Sequence, residues 1–264
     1  MRANFFLTLI LLSLVSCTRY DVEEPVIIVS VAPEFTIDLY EQREVQSGSP
    51  QFGLWMESVA KYGCSGYSIR TQTAFTNNHL SVQILAVEKP AICVGDSSPA
   101  RQFVPLGDFV EGSYTITITL GEAQALVSEG TLLVGNGTYE MTMGETRGFD
   151  LQNRVLRSLP AKSLWGYVLT PLEAQTPPAN QFLTDLKTLT EEPALEPGFY
   201  GYFTVSGAGQ YFFHRSIAPP SGQHVPFLRS LTASDNALLG LLQGYRANVD
   251  QPLAIRCWSS EGPY

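Results

Sequence analysis

Apolar and polar residues alternate along much of the first half of the chain, which is the pattern of half-buried β-strands. In one such segment, Tyr114, Ile116 and Ile118 define an apolar face, and the threonines between them define a polar one. Shorter stretches with the same period lie on both sides of this segment. Because strands recur and no helical period interrupts them, we expect a β-sandwich over residues 25–145.

A tight turn is predicted at Asn77-Asn78 inside this region. Asparagine tolerates the positive φ angles that a two-residue hairpin turn requires. The flanking segments 67–74 and 80–87 are therefore expected to pair as a hairpin.

The loop before Tyr114, with the sequence LGDFVEGSY, resembles the tyrosine corner of immunoglobulin-like and fibronectin type III domains. In those domains the tyrosine hydroxyl bonds back to the upstream backbone and fixes the turn. The resemblance implies that the sandwich is Ig-like and that Tyr114 is structural. The tryptophan of an antibody-type core is not evident, so the likeness extends to the general fold at most.

The period changes after a predicted linker at residues 146–160. Apolar residues then follow Asn180 and Ser234 at helical spacing, and both residues are candidate N-caps. Strands are expected at four places, which are residues 163–169, 199–205, 210–216 and 253–258. The order strand, helix, strand, strand, helix, strand predicts a ferredoxin-like α+β domain over residues 161–264.

The predicted second sheet has one strongly aromatic face, on the side that its helices cannot cover. The residues expected on this face are Trp165, Tyr167, Tyr200, Tyr202, Tyr211 and Trp258. Packing against the sandwich or linker is one explanation for such a face, and a surface for a protein partner or a glycan is another. Cys257 is expected on the opposite, aliphatic face as a buried free thiol.

The N-terminus has the layout of an export signal over residues 1–16, with Arg2 before a short apolar run. This run ends in Leu-Val-Ser-Cys, which resembles the lipobox of bacterial lipoproteins. The resemblance implies that Cys17 carries lipid, that residues 17–24 form a tether, and that the protein is anchored at the outer membrane or cell surface. The acidic tether is also loosely similar to that of Bacteroidetes lipoproteins exported to the cell surface. An ordinary secretory signal with an incidental cysteine is the alternative.

Two further cysteines, Cys64 and Cys93, lie within the predicted sandwich. Outside the cytoplasm such a pair favours a disulfide. A metal site is the competing hypothesis, but no CxxC pair or neighbouring histidine supports it.

The formal net charge is −9, which argues against a nucleic-acid partner because phosphate neutralisation requires a basic surface. The acidity is uneven. Residues 25–145 contain five Lys or Arg against 13 Asp or Glu, whereas residues 146–264 contain nine of each.

None of the common catalytic or phosphate-binding motifs occurs around the three histidines, His79, His214 and His224. We therefore expect no catalytic residue, no metal and no cofactor. The leading hypothesis is a membrane-anchored, non-enzymatic lipoprotein with a binding or assembly role. A hydrolase with dispersed residues, using His214 and His224, and a carbohydrate-capture module are the alternatives.

Overall fold

A computed structural model describes residues 31–43, 50–121, 125–214, 223–248 and 252–264. The signal peptide, Cys17 and the tether lie outside the described residues. Val31–Tyr264 form one compact unit. Among the residues described, no helix is both long and apolar enough to cross a membrane.

Strands dominate the unit, and those of its N-terminal part form two sheets. In chain order they are β1 (Phe35–Arg43), β2 (Pro50–Tyr62), β3 (Ser68–Thr76), β4 (His79–Glu88), β5 (Ser98–Pro105), β6 (Gly112–Leu120), β7 (Leu126–Gly135), β8 (Thr138–Met143), β9 (Phe149–Leu151) and β10 (Val155–Arg157). One sheet has the order β5-β2-β1-β9, and the other has the order β10-β8-β7-β6-β4-β3.

The two sheets pack face to face, which confirms the predicted β-sandwich. Ile37 and Leu39 of β1 and Ile116 and Ile118 of β6 are each 0% exposed and belong to one shared core. The threonines of β6 face away from this core, as the alternation requires. Burying each of these aliphatic side chains contributes about 1.5–3 kcal/mol.

The local turn predictions in the sandwich are confirmed. Asn77 and Asn78 have φ angles of 51° and 61° and join β3 to β4, with Thr76 paired to His79. The Tyr114 hydroxyl donates to the carbonyl of Val110 at 2.8 Å, so the bond expected of a tyrosine corner is present.

The segment predicted as a linker, residues 146–160, contributes strands to the sandwich. β9 pairs in parallel with β1, and β10 pairs antiparallel with β8. The apolar side chains of the segment explain this pairing. Phe149, Leu151 and Leu156 are buried, with Phe149 only 2% and Leu156 0% exposed.

The C-terminal part contains two helices and two further sheets among its described residues. Its elements are β11 (Ser163–Leu169), α1 (Thr176–Leu189), β12 (Thr190–Glu191), β13 (Gly198–Phe199), β14 (Phe203–Val205), β15 (Tyr211–Phe213), β16 (His224–Leu231), α2 (Asp235–Arg246), β17 (Ala254–Ser259) and β18 (Gly262–Pro263). One sheet has the order β12-β16-β11-β17-β18, and β13-β14-β15 form the other.

The ferredoxin-like sheet predicted from four strands is wrong, because residues 199–205 and 210–216 do not join β11 and β17. Gly201, with a φ of 80°, breaks the first of these segments, which leaves the short strands of the separate three-stranded sheet. β16, where the sequence predicted no strand, takes the place beside β11 and pairs with it from Ser163–Ser230 to Leu169–His224. A long antiparallel ladder satisfies more backbone groups than the short strands could.

One predicted helix start is correct and the other is one turn late. The Ser234 hydroxyl caps α2 by accepting from the amide of Ala237. α1 begins at Thr176 rather than after Asn180, with prolines in its first turn. Proline fits there because the first amides of a helix have no partner within it.

Candidate functional site

The predicted aromatic face is largely buried, so it does not form an open binding platform. Trp165, Tyr167 and Tyr200 are 1%, 6% and 3% exposed, and Tyr202, Tyr211 and Trp258 are half-buried. The three-stranded sheet covers this face, with Tyr202 and Phe203 packed on Trp165 at ring distances of 5.0 and 5.8 Å.

The same cluster joins the C-terminal part to the outer face of the sandwich. Tyr40 of β1 lies 5.0 Å from Tyr202, ring centre to ring centre, and also contacts Trp55 and Phe103. Burial raises the pKa of the Tyr40 hydroxyl far above its usual value, and the charge of Tyr202 and its hydrogen bond add smaller increases. A phenol held neutral in an aromatic interface has a packing role.

Buried acids reinforce this junction through the segment that follows β9. Asp38 accepts from the backbone amide and the side-chain amide of Asn153 at 3.0 and 2.8 Å. Glu41 accepts from the amide of Leu159 at 3.4 Å. These bonds fix the chain between the two parts, so the aromatic residues are explained by packing against the sandwich.

The histidines occupy three separate settings. His214 is 2.7 Å from the hydroxyl of Thr204, and burial lowers the pKa of its imidazole. His224 contacts the ring of Tyr167 from the start of β16, and exposed His79 bonds to Thr117 at 2.9 Å. Over the described ranges, no group of three or more His, Cys, Asp or Glu side chains is placed to hold a metal ion.

Cys257 is buried and unpaired, as its position in the last long strand predicted. Burial raises the pKa of its thiol to about 12, and the nearby Arg246 opposes this only in part. A thiol with so high a pKa carries almost no thiolate at neutral pH, so this cysteine is not a reactive nucleophile.

A pocket of about 680 Å³ lies at one end of the sandwich, and we call it the sandwich-end pocket. It lies between the start of β1, the ends of β2, β4 and β6, and the start of β7. Its lining residues are Pro33, Glu34, Phe35, Val59, Ala60, Tyr62, Ile84, Leu85, Ala86, Val87, Leu120, Gly121 and Leu126. This volume falls within the range of ordinary small-molecule sites, about 300–1,000 Å³.

A bulge in β2 opens one wall of the pocket. The pairing of β2 with β5 shifts register between Glu57 and Lys61, which leaves extra residues of β2 opposite Ala100. The Ser58 hydroxyl accepts the amide of Ala100 at 2.8 Å and so replaces the missing ladder bond. Bulges bend a strand and redirect its side chains. Here Val59 and Ala60 are exposed and line the pocket.

A second bulge opens the opposite wall. β3 and β4 shift register between Arg70 and Thr71, which pair with Ala86 and Ile84 and leave Leu85 as the extra residue. Leu85 also lines the pocket. Irregularities in both sheets therefore coincide at the same end of the sandwich.

A disulfide holds the loops beside this end. Cys64 and Cys93 are bonded, with their Cα atoms 5.6 Å apart, which confirms the predicted pair. An antiparallel β-bridge between Ser65 and Val94 lies beside the disulfide, and the Ser65 hydroxyl donates to the carbonyl of Val94. Tyr62, which lines the pocket, stacks on Tyr67 at a ring distance of 4.5 Å, and Cys64 lies between them in sequence. The disulfide is therefore next to the wall of the pocket.

Most side chains that line the pocket are aliphatic or aromatic, although a substantial part of the lining surface is polar. Glu34 is its charged residue, and the Tyr62 hydroxyl is its other polar side-chain group. No histidine, cysteine, serine or lysine is part of it. Such a surface can hold an apolar group, but it supplies neither a nucleophile nor an acid–base pair.

Sequence reasoning missed this pocket because alternation predicts regular strands and does not reveal bulges. The available signal was Ser58, a small polar residue at a position where alternation expects an apolar one, next to an exposed valine.

No protein-family model matches the chain, and neither the curated proteins nor the solved structures contain a match to it.

Proposed function

We propose that this protein is a lipid-anchored, non-enzymatic binding protein of the cell envelope or cell surface, and that it holds an apolar ligand in the sandwich-end pocket. The observation that carries the proposal is a pocket of about 680 Å³ whose lining side chains are mostly apolar and include no nucleophile or acid–base pair. Apolar pockets with a few polar groups are the usual form of small-molecule sites.

Exposed apolar side chains near the pocket are consistent with an apolar partner. Val59 is 57% exposed, and Ile92 and Val94, on either side of Cys93, are 76% and 60% exposed. Exposed aliphatic residues grouped at one end of a protein commonly mark a contact surface.

The sandwich itself is proposed to be a variant of the Ig-like fold. The Tyr114 bond to Val110 supports this, because it has the form of a tyrosine corner. The fold is a scaffold and implies no chemistry.

The anchoring part is tested by metabolic labelling with palmitate and by membrane fractionation of the full chain. Cys17→Ala should lose the label. Cys257→Ala is the matched control and should keep both the label and its place in the membrane fraction. Because the apolar run at residues 5–15 can itself hold an uncleaved chain at the membrane, the label decides: a Cys17→Ala chain that retains it would disprove lipidation at Cys17.

The binding part is tested with N-phenyl-1-naphthylamine, a neutral apolar dye that fluoresces in apolar sites. The Cys17→Ala chain keeps every described residue and needs no detergent. Ala60→Trp fills the pocket from an exposed lining position and should abolish most of the saturable signal. Val110→Trp adds the same side chain at a 78% exposed site outside the lining and should leave the signal intact. Equal dye binding by all three proteins would reject the pocket as the site.

A further inference from the structure

We propose that the open edge of β3 pairs with the same edge of a second copy of this chain, antiparallel and centred on Thr73, so that the two sandwiches share one continuous sheet. This inference goes beyond the proposed function and does not depend on the sandwich-end pocket. It is carried by the direction of the backbone groups of β3 and by the uncharged sequence of its edge.

β3 is an end strand, in the sheet order β10-β8-β7-β6-β4-β3. The start of β3 is covered, because the amide of Arg101 in β5 donates to the carbonyl of Tyr67 at 3.2 Å. Beyond the shift in register at Arg70, residues 71–76 pair with β4 on one side. On the other side, no strand of the described residues pairs with them. Residues 71–76 are therefore the open edge.

Alternate residues of this edge direct their backbone groups outwards. The carbonyl of Ile84 in β4 accepts from the amide of Gly121, just after β6, at 2.9 Å, so Ile84 turns its backbone groups towards β6. Because the bonding direction alternates along a strand, the residues of β4 that alternate with Ile84 bond to β3. Their partners in β3 are Gln72, Ala74 and Thr76. The amides and carbonyls of Thr71, Thr73 and Phe75 therefore face away from β4.

Charge favours a second copy at this edge. Residues 71–79 include no Asp, Glu, Lys, Arg or Pro, whereas residues 25–145 contain 13 acids against five Lys or Arg. Charged side chains and proline are the usual protection of a sheet edge, and this one lacks both. Two copies of so acidic a sandwich repel each other over most of their surfaces. Along this strip they can approach without opposing like charges.

The edge is also complementary to itself. With Thr73 on a two-fold axis, it faces Thr73 of the second copy, and Thr71 faces Phe75 on either side. Each facing pair exchanges two N–H···O bonds, which gives about six in all. Phe75 is 50% exposed in one copy, and an aromatic side chain opposite a β-branched one is a favoured cross-strand pair. A strand that fits itself in this way specifies a second copy.

The first test is analytical ultracentrifugation of the Cys17→Ala chain from micromolar to millimolar concentration. So short a ladder buries less area than a standard interface, and the dimer should be weak and concentration-dependent. Thr73→Pro removes an outward amide that β4 does not use, and it should weaken the dimer at least about fivefold with little change in Tm. Thr73→Ala keeps the amide and is the matched control, which should dimerise within about threefold of the parent.

A charge exchange tests the two-fold symmetry. Thr73→Lys and Thr73→Glu each place two like charges opposite one another across the axis, so each variant alone should stay monomeric where the parent dimerises. An equimolar mixture of the two should recover the dimer, because opposite charges then face each other. Pairing with a strand of another protein would not show this recovery.

Disulfide cross-linking tests the register. Centring on Thr73 places Gln72 opposite Ala74 of the second copy in a pair without hydrogen bonds, with Cα atoms about 4.5 Å apart, which a disulfide can bridge. Two copies of the same residue are then diagonal neighbours at about 7–8 Å, which is too far. A mixture of Gln72→Cys and Ala74→Cys should therefore cross-link, and neither variant alone should do so readily.

Each of these experiments can overturn the proposal. A parent chain that stays monomeric at millimolar concentration refutes it and leaves the edge to an extended segment of another protein. A dimer that Thr73→Pro does not weaken, or a mixture of Thr73→Lys and Thr73→Glu that stays monomeric, refutes pairing through this edge. Cross-linking of either cysteine variant alone as fast as the mixture refutes the register.

Discussion

The disulfide between Cys64 and Cys93 gives the most quantitative test of the fold. Its half-cystines are 29 residues apart in sequence. In the chain-entropy treatment, a closed loop of this length stabilises the folded state by about 3.5 kcal/mol at 25 °C, because the bond restricts the unfolded chain. For a unit of this size, about 1 kcal/mol corresponds to a 2–4 °C change in Tm, so losing the bond should lower Tm by about 7–14 °C.

Two independent perturbations should give this shift. Calorimetry of the Cys17→Ala chain with and without a reductant removes the bond without changing a side chain. The double substitution Cys64→Ala and Cys93→Ala removes it genetically, and reductant should then have no further effect. Cys257 is buried and forms no bond, so it should not contribute. If oxidised and fully reduced proteins melt at the same temperature, the assignment of stability to this loop closure is wrong.

Three further predictions test buried positions of the C-terminal part. The indole Nε1 of Trp165 is buried without a hydrogen-bond partner in the described structure. Trp165→Phe loses no hydrogen bond and should change the free energy of unfolding in urea by less than about 1 kcal/mol. Trp165→Ala leaves a large cavity and should lower that free energy by about 3–5 kcal/mol. A Cβ at Gly166 would overlap the carbonyl of Arg256, so Gly166→Ala should destabilise the protein by at least about 1–3 kcal/mol. Gly207→Ala is the control, because no atom lies within 4 Å of the Cβ it adds, and it should change stability by less than about 0.5 kcal/mol. The pKa of Cys257 is raised from 9.0 to about 12, so its native state holds the proton more tightly than the unfolded state. Its contribution to stability should be complete below about pH 9 and fall as the pH rises to 12, and the stability difference between the parent chain and Cys257→Ala should show that slope. A flat difference across this range would contradict it.

Local signals in the sequence predicted local structure well. The alternation around Ile116 and Ile118 identified a strand and its buried face, and Asn77-Asn78 identified a hairpin turn. In each case the controlling physics acts over a few residues, through the two-residue period of a strand or the φ preference of asparagine. The pairing of Cys64 with Cys93 is also predicted from the sequence, because both cysteines lie within the predicted sandwich and no CxxC pair or neighbouring histidine favours a metal site.

Sheet membership was less accessible, because it depends on competition between distant segments. Residues 199–205 and 210–216 read as strands, and parts of both are strands, but β16 provides the longer ladder for β11. No residue within the two shorter segments indicates that β16 pairs with β11 in their place. The three-stranded sheet that covers Trp165 is formed by parts of the same segments that the sequence predicts to lie beside it.

The sandwich-end pocket illustrates a more general limit of predicting structure from the alternation of apolar and polar residues. A regular sandwich would close over its own core, and here two bulges prevent that closure at one end. The first bulge is tolerated because the Ser58 hydroxyl satisfies the amide of Ala100, a contact between residues far apart in sequence. The cavity therefore arises from departures from the pattern that predicts the fold. The disulfide between Cys64 and Cys93 lies beside the same end, next to the wall residue Tyr62, so a covalent cross-link borders the opening.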